Sequence, residues 1–187
     1  MSKPSTSGPS NFGLDNTPDD AVLRQLKAEP RRIKPDEEKN AAGEFFCPIC
    51  RSIFYRKSWH TDPRKYEQIS QNLDLARKCP ACHKTQLDLP EGIVTLSALD
   101  TFDKQHREEL INLVRNIADR AFRRDPMDRI YKMLDKGNEI VAYTTENQLA
   151  VAIGNEVKRA LGGDLNIDFS HRDNEIARVV WIAKPLV

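Results

Sequence analysis

No run of eighteen apolar residues occurs in this 187-residue chain, so no segment is suited to a membrane-spanning helix. The first forty residues contain no apolar export segment, and a cytoplasmic location is the expectation that follows. Surplus charge is almost absent: 29 Lys plus Arg stand against 28 Asp plus Glu. Bulk charge will therefore not draw the molecule to nucleic acid, and any such attraction has to be local. P-loop, G-x-G-x-x-G and H-E-x-x-H signatures are missing as well. We accordingly expect neither an enzyme nor a small-molecule substrate.

Cysteine is scarce, but all four residues fall into two matched pairs, Cys47-Pro-Ile-Cys50 and Cys79-Pro-Ala-Cys82. A C-x2-C knuckle turns tightly enough to aim both sulfurs at one point. Two knuckles supply the four-thiolate shell that Zn2+ prefers, at Zn–S distances of about 2.3 Å. Such a shell leaves no position for water or substrate, so the expected zinc is structural. Three rival readings exist. Cys79-Pro-Ala-Cys82-His83 also fits haem attachment, but that would orphan the other pair. Redox C-x2-C pairs normally sit in a β-α-β unit, and no such pattern surrounds either pair. Two structural disulfides suit a small secreted domain. His60 or His83 is a substitute ligand in principle, although with four thiols at hand both are expected on the surface.

Three segments are predicted. Residues 1–44 carry five prolines and the charge cluster Arg31 to Lys39, and read as a disordered arm. Within it, Ala21 to Ala28 has a short apolar stripe of Val22, Leu23 and Leu26, suited to a transient helix. Residues 45–92 form the cysteine module, a zinc ribbon with an inserted helix. Phe45, Phe46, Ile49, Ile53 and Phe54 give strand character around the first knuckle, and Thr85 to Leu89 are the expected return strand after the second. Between the knuckles, Tyr66, Ile69, Leu73 and Ala76 recur at helical spacing within Lys65 to Lys78.

Residues 93–187 read as an α+β domain, a small antiparallel sheet with two helices in the order α-β-β-α-β-β. Lys104 to Arg124 carries an apolar stripe through Leu110, Val114, Ile117 and Ala121, stopped by Asp125-Pro126. Arg120, Arg123 and Arg124 fit either favourable placement at a helix C-terminus or phosphate contact. Met127 to Leu134 reads as a strand or a helix, and Glu139 to Tyr143 as a strand. Thr145 to Gln148 matches a capping box, opening a helix that Gly162-Gly163 ends. Leu165 to Phe169 and Ile176 to Ile182 are the last strands, joined by His171-Arg172-Asp173-Asn174. Ser170-His171-Arg172-Asp173 holds the residue types of a catalytic triad, yet sequence neighbours rarely form one and a polar turn accounts for it.

A local basic stretch lies in Arg51 to Tyr66. Arg51, Arg56, Lys57, Arg64 and Lys65 face a single acid, Asp62, with Phe54, Tyr55, Trp59 and Tyr66 interleaved. Cations that reach phosphates beside aromatic faces that stack on unpaired bases make Arg51, Arg56, Lys57, Trp59, Arg64 and Lys65 candidate RNA contacts. Equally, Phe54, Tyr55 and Trp59 fit the small core such a module needs, with the cations solvated outside. From Cys47 to Leu89 eight Lys or Arg stand against four Asp or Glu, and a zinc tetrathiolate centre removes about two charges of that surplus.

The cysteine knuckles followed by Gly137 to Thr144, Gln148-Leu149-Ala150 and the Gly162-Gly163 helix stop resemble the front half of the NMD-type adaptors of the large ribosomal subunit. The short bacterial relatives labelled "NMD protein affecting ribosome stability and mRNA decay" are the most similar in pattern, over about Phe45 to Trp181. What the resemblance implies is association with the ribosome or ribosomal RNA, in ribosome stability or maturation. The larger relatives carry further knuckles and this chain has one four-cysteine set, so their export role is not implied. The alternative expectation is a zinc-ribbon adaptor that binds a protein partner without touching RNA.

Overall fold

The computed structural model describes Leu26, Arg32 and residues 43–170 and 176–184. The predicted disordered arm lies outside these residues apart from Leu26, Arg32, Gly43 and Glu44, and the His171 to Asn174 turn lies outside them entirely.

The cysteine module begins with a three-stranded antiparallel sheet, β1 (Phe45–Phe46), β2 (Ile53–Tyr55) and β3 (Ser58–His60). Alternation along these short strands divides their side chains between two small cores. Phe54 and Trp59 face the cysteines, while Phe46 and Ile53 meet Tyr66 and Ala76. Leu26 packs against the latter group. Helix α1 (Pro63–Ile69) opens with Asp62, whose side chain accepts from the Lys65 amide at 3.0 Å, and with Pro63 at its first position. The helix predicted to continue to Lys78 stops here. Asn72 accepts from the Asp74 amide and starts a separate 3-10 turn, Leu73–Leu75, and the chain then turns extended so that Arg77 N donates to Phe46 O at 2.8 Å.

The second knuckle departs from the expected ribbon. Cys79 is the N-cap of helix α2 (Pro80–Gln86), its sulfur accepting from the Cys82 amide, and Thr85 and Gln86 belong to that helix instead of a return strand. Pro80 explains the switch, because a proline just after a cap residue is pre-set for the first helical turn.

The α+β domain contains β4 (Gly92–Ser97), α3 (Lys104–Arg124), β5 (Ile130–Asp135), β6 (Ile140–Thr144), α4 (Asn147–Leu161), β7 (Asp164–Ser170) and β8 (Ile176–Ile182). Its five strands lie in the order β5-β6-β4-β8-β7. All neighbours are antiparallel except β4 and β8, which run parallel with Val94 opposite Val179 and Leu96 opposite Trp181. The central strand β4 is one the sequence reading passed over, and it starts at Gly92, one residue ahead of the expected boundary. From β4 to β7 the order is that of two split β-α-β units, with β8 inserted between β4 and β7.

Helices α3 and α4 feed one core. Leu110, Val114, Ile117 and Ala121 from α3 and Leu149, Ile153 and Val157 from α4 meet Val94, Leu96, Ile140, Val179 and Trp181. Each such buried Leu, Ile or Val side chain contributes roughly 1.5–3 kcal/mol. Gly154 lets α4 settle on the sheet, since a Cβ there would run into Val179. Helix α3 runs over the expected span and is capped by Asp103, which accepts from the His106 amide at 2.8 Å.

Two expectations at helix ends resolve in different ways. The Thr145 capping box does not form: Glu146 is the cap residue and makes no side-chain cap bond. Thr145 instead accepts from the Arg129 amide at 2.9 Å and donates to Met127 O, because its hydroxyl is buried against that turn. At the end of α3, Arg120 pairs with Glu156 and Arg124 with Asp128, each at 3.4 Å, which favours the stabilising role over phosphate contact. Among the described residues, no helix is long and apolar enough to cross a membrane.

Candidate metal centre

Two structural devices bring the four cysteines together. In the first, Cys47 N donates to Ser52 O and Arg51 N to Cys47 O, both at 2.8 Å, closing the loop from Cys47 to Ser52. Arg51 closes it in the left-handed region, φ 59°, where glycine is the usual choice. In the second, the first turn of α2 holds Cys79 and Cys82 on one side. The pairing of Phe46 with Ala76 then sets the two devices face to face.

The sulfurs of Cys47, Cys50, Cys79 and Cys82 all lie within 4.8 Å of one another, and all four residues are buried. Cys50 and Cys79 sulfurs are 3.6 Å apart, far beyond a disulfide bond of about 2.05 Å. This donor set fits a metal ion: four soft sulfurs converge, and backbone amides already point at them. Cys79 N approaches the Cys47 sulfur at 3.5 Å and Cys82 N the Cys79 sulfur at 3.4 Å. Convergence of both pairs also argues against haem attachment at Cys79 and Cys82, which has no use for the first pair. Neither histidine joins the group. His60 is turned to Ser58 Oγ at 2.8 Å and Tyr55 O at 3.2 Å, and His83 follows Cys82 on α2.

The protons on the cluster are unevenly held. Burial raises the Cys50 thiol, but hydrogen bonds from Cys47, Cys79 and Cys82 and the charge of Arg129 outweigh it and hold that thiol well below its ordinary value. Burial first, and then the sharing of protons with the other sulfurs, pushes Cys79 well above it. Cys82 is raised by its bonds to Cys47 and Cys50 and by burial. A bound divalent ion replaces these protons and ionises all four groups.

Beside the sulfurs sits a residue the sequence reading missed. Arg129, from the turn between α3 and β5, donates from Nη2 to the Cys50 sulfur at 3.1 Å and from Nη1 to the Cys82 sulfur at 3.5 Å. Met127 from the same turn packs among the cysteines. Lys84 on α2 reaches the other way, to Thr145 O at 2.8 Å and to Glu146 and Glu91 at 2.7 Å each. Nothing in the local sequence marks Arg129, which follows Asp125-Pro126-Met127-Asp128 as an ordinary turn residue.

The predicted RNA contacts divide. Arg56 and Lys57 form the two-residue turn between β2 and β3, at φ 52° and 66°, and both are exposed. Arg64 is exposed on the first turn of α1. Lys65 pairs with Glu44 and lies 5.0 Å from the Tyr55 ring centre. Arg51 stands at the opposite end of β2. Trp59 is the correction: it is 6% exposed, edge-on to Phe54 at 5.5 Å, and cannot stack on a base. Its place on β3 points it at the cysteines, as the core reading of the aromatics anticipated. The ring pair on the other face is Tyr55 and His60, 4.2 Å apart.

Comparison with known protein families, curated proteins and solved structures finds no match to this chain.

Proposed function

We propose that this is a non-enzymatic, cytoplasmic zinc-binding protein that associates with the ribosome or ribosomal RNA through its cysteine module. Zinc is the ion the site suits best. Four sulfurs at about 2.3 Å from one ion lie about 3.8 Å from each other, close to the 3.6 Å between Cys50 and Cys79. Four protein ligands leave it no open position, which makes its role structural.

The observation that carries the RNA reading is backbone strain beneath charge. Among the described residues five non-glycine positions have positive φ, and three of them are Arg51, Arg56 and Lys57. A two-residue hairpin turn of this kind favours Asn-Gly, and each bulky residue held there costs about 1 kcal/mol or more. At Arg51 the strain closes the first cysteine loop, whereas at Arg56 and Lys57 no such folding role accounts for it, and strain of that kind is often held at functional sites. Cations at the tip, with Arg56 and Lys65 flanking the half-buried Tyr55 ring and His60 beside it, form a small surface for phosphates and an unpaired base. The resemblance to the ribosomal adaptors points the same way.

The test replaces Arg56→Asn and Lys57→Gly together. Wild-type protein should sediment with ribosomal particles in low salt and leave them as salt rises. The double variant should stay at the top of the gradient while melting at an equal or higher temperature. Wild-type protein at the top throughout, or a double variant that still co-sediments, overturns the reading.

A second reading, an adaptor for a protein partner, is favoured by Leu87 and Leu89 at the end of α2, which are 53% and 45% exposed. Association that withstands high salt and is lost in Leu87→Ser with Leu89→Ser would select it.

A further inference from the structure

We propose that Arg129 is the counter-ion of the metal centre and the lock that makes metal occupancy and the folded α+β domain mutually dependent. The proposal rests on reading the four cysteines as a metal site. Four thiolates around a divalent ion leave about two negative charges inside the protein, and such charge is costly unless paired. Arg129 sets a guanidinium against both the Cys50 and the Cys82 sulfur. Arg129 arrives from a residue 79 positions beyond Cys50.

Every nitrogen of its guanidinium is engaged. Nε donates to Pro126 O at 2.6 Å, Nη1 to the Cys82 sulfur at 3.5 Å, and Nη2 to the Cys50 sulfur and to Ser52 Oγ at 3.1 and 3.4 Å. Its carbon lies 5.3 Å from the centre of the Phe122 ring on α3. Its own amide donates to Thr145 Oγ1, so the backbone of this residue is tied to the corner that begins α4. One planar fork thus touches both halves of the cysteine cluster, one sulfur from the first loop and one from α2. A lysine, with a single point charge, cannot span both sulfurs in this way.

Two consequences follow. Outer contacts of this type tune metal affinity by about 10–100-fold. Coupling is also reciprocal: whatever the metal adds to the stability of the α3–β5 turn, the folded α+β domain returns as metal affinity. Loss of the ion frees the two cysteine pairs from each other, strips Arg129 of two acceptors and loosens the turn that Thr145 and Met127 share with it.

The experiment compares wild-type chain with Arg129→Gln, measuring Zn2+ affinity by chelator competition and thermal melting by circular dichroism with and without chelator. We expect one zinc per chain in both, affinity weakened 10–100-fold in the variant, and a chelator-induced fall in melting temperature that is smaller in the variant than in wild type. Should Arg129→Gln fail to fold, Arg129→Lys carries the same comparison, with weakened affinity expected. Unchanged affinity in a folded variant overturns the proposal while leaving the metal site standing. Wild-type protein that binds no zinc overturns the metal reading and the proposal with it.

Discussion

The two halves of this molecule solve the same problem with different materials. The core cluster of the α+β domain draws on nineteen buried residues from strands and two long amphipathic helices. The cluster around the metal centre has eight, and four of them are the cysteines themselves. A domain with the larger store of apolar side chains draws most of its stability from burial. A module this small needs an added cross-link, which the thiolates supply once an ion joins them. What the contrast teaches is where the proposed function falls: the strained cationic turn sits on the half with the smaller core, and the other half reaches across with Arg129 to the Cys50 and Cys82 sulfurs.

The sharpest way to break this comparison is Cys79→Ser. It removes one ligand and the sulfur that caps α2, so tight zinc binding should vanish, and with it a folding contribution on the order of 10 kcal/mol. Circular dichroism should still show α3 and α4, with a lowered melting temperature because the Cys50 and Cys82 sulfurs are no longer tied together in front of Arg129. Disappearance of all helical signal would show that the two halves are a single folding unit.

The opposite probe is Ile153→Ala in α4, where a fully buried side chain leaves a cavity beneath the sheet. Urea unfolding should report about 2–5 kcal/mol of lost stability. One zinc per chain should remain in native buffer, and loss of zinc there would erase the distinction between the halves.

Lys84→Met probes the seam. Its ammonium meets Thr145 O, Glu146 and Glu91, and deletion should cost about 1–3 kcal/mol at neutral pH. Burial pushes the Glu146 carboxyl up, helped by Glu91 and Asp128 and opposed by Lys84. An acid whose folded value is raised binds more protons in the folded state, so its effect on stability worsens as pH rises from the ordinary carboxylate range through the raised value. Removing Lys84 raises Glu146 further, so the variant's stability should fall more steeply with pH across that window than the wild type's. Parallel pH profiles would mean that Lys84 contributes nothing specific to Glu146.

Much of the fold was legible because it is written in local repeats. Leu110, Val114, Ile117 and Ala121 return to one helix face every three or four residues, and Asp125-Pro126 forbids continuation, so α3 could be placed to the residue. Strand β7 announced itself by alternation, and the polar turn after it led to β8. β4 did not announce itself, because its neighbours β6 and β8 lie far along the chain and its apolar content, Ile93, Val94 and Leu96, is short. The return strand after Cys82 was misread because Thr85 and Leu87 have strand character of their own, while Pro80 and the cap at Cys79 commit the backbone to a helix. Trp59 looked as fit to stack on a base as Tyr55. Only the parity of β3, set by its pairing with β2, turned Trp59 inward and left Tyr55 and His60 on the other face.

By itself the sequence determined the four cysteines that cluster and the amphipathic helices. Both are specified at short range, the thiols by C-x2-C spacing and the helices by the 3.6-residue period. Tertiary structure alone decided that β4 lies at the centre of the sheet, that Thr145 serves a turn instead of a helix cap, and that Arg129 meets the sulfurs of Cys50 and Cys82. Those outcomes depend on which distant groups are left buried and in want of a partner, a quantity that exists only once the chain has closed on itself.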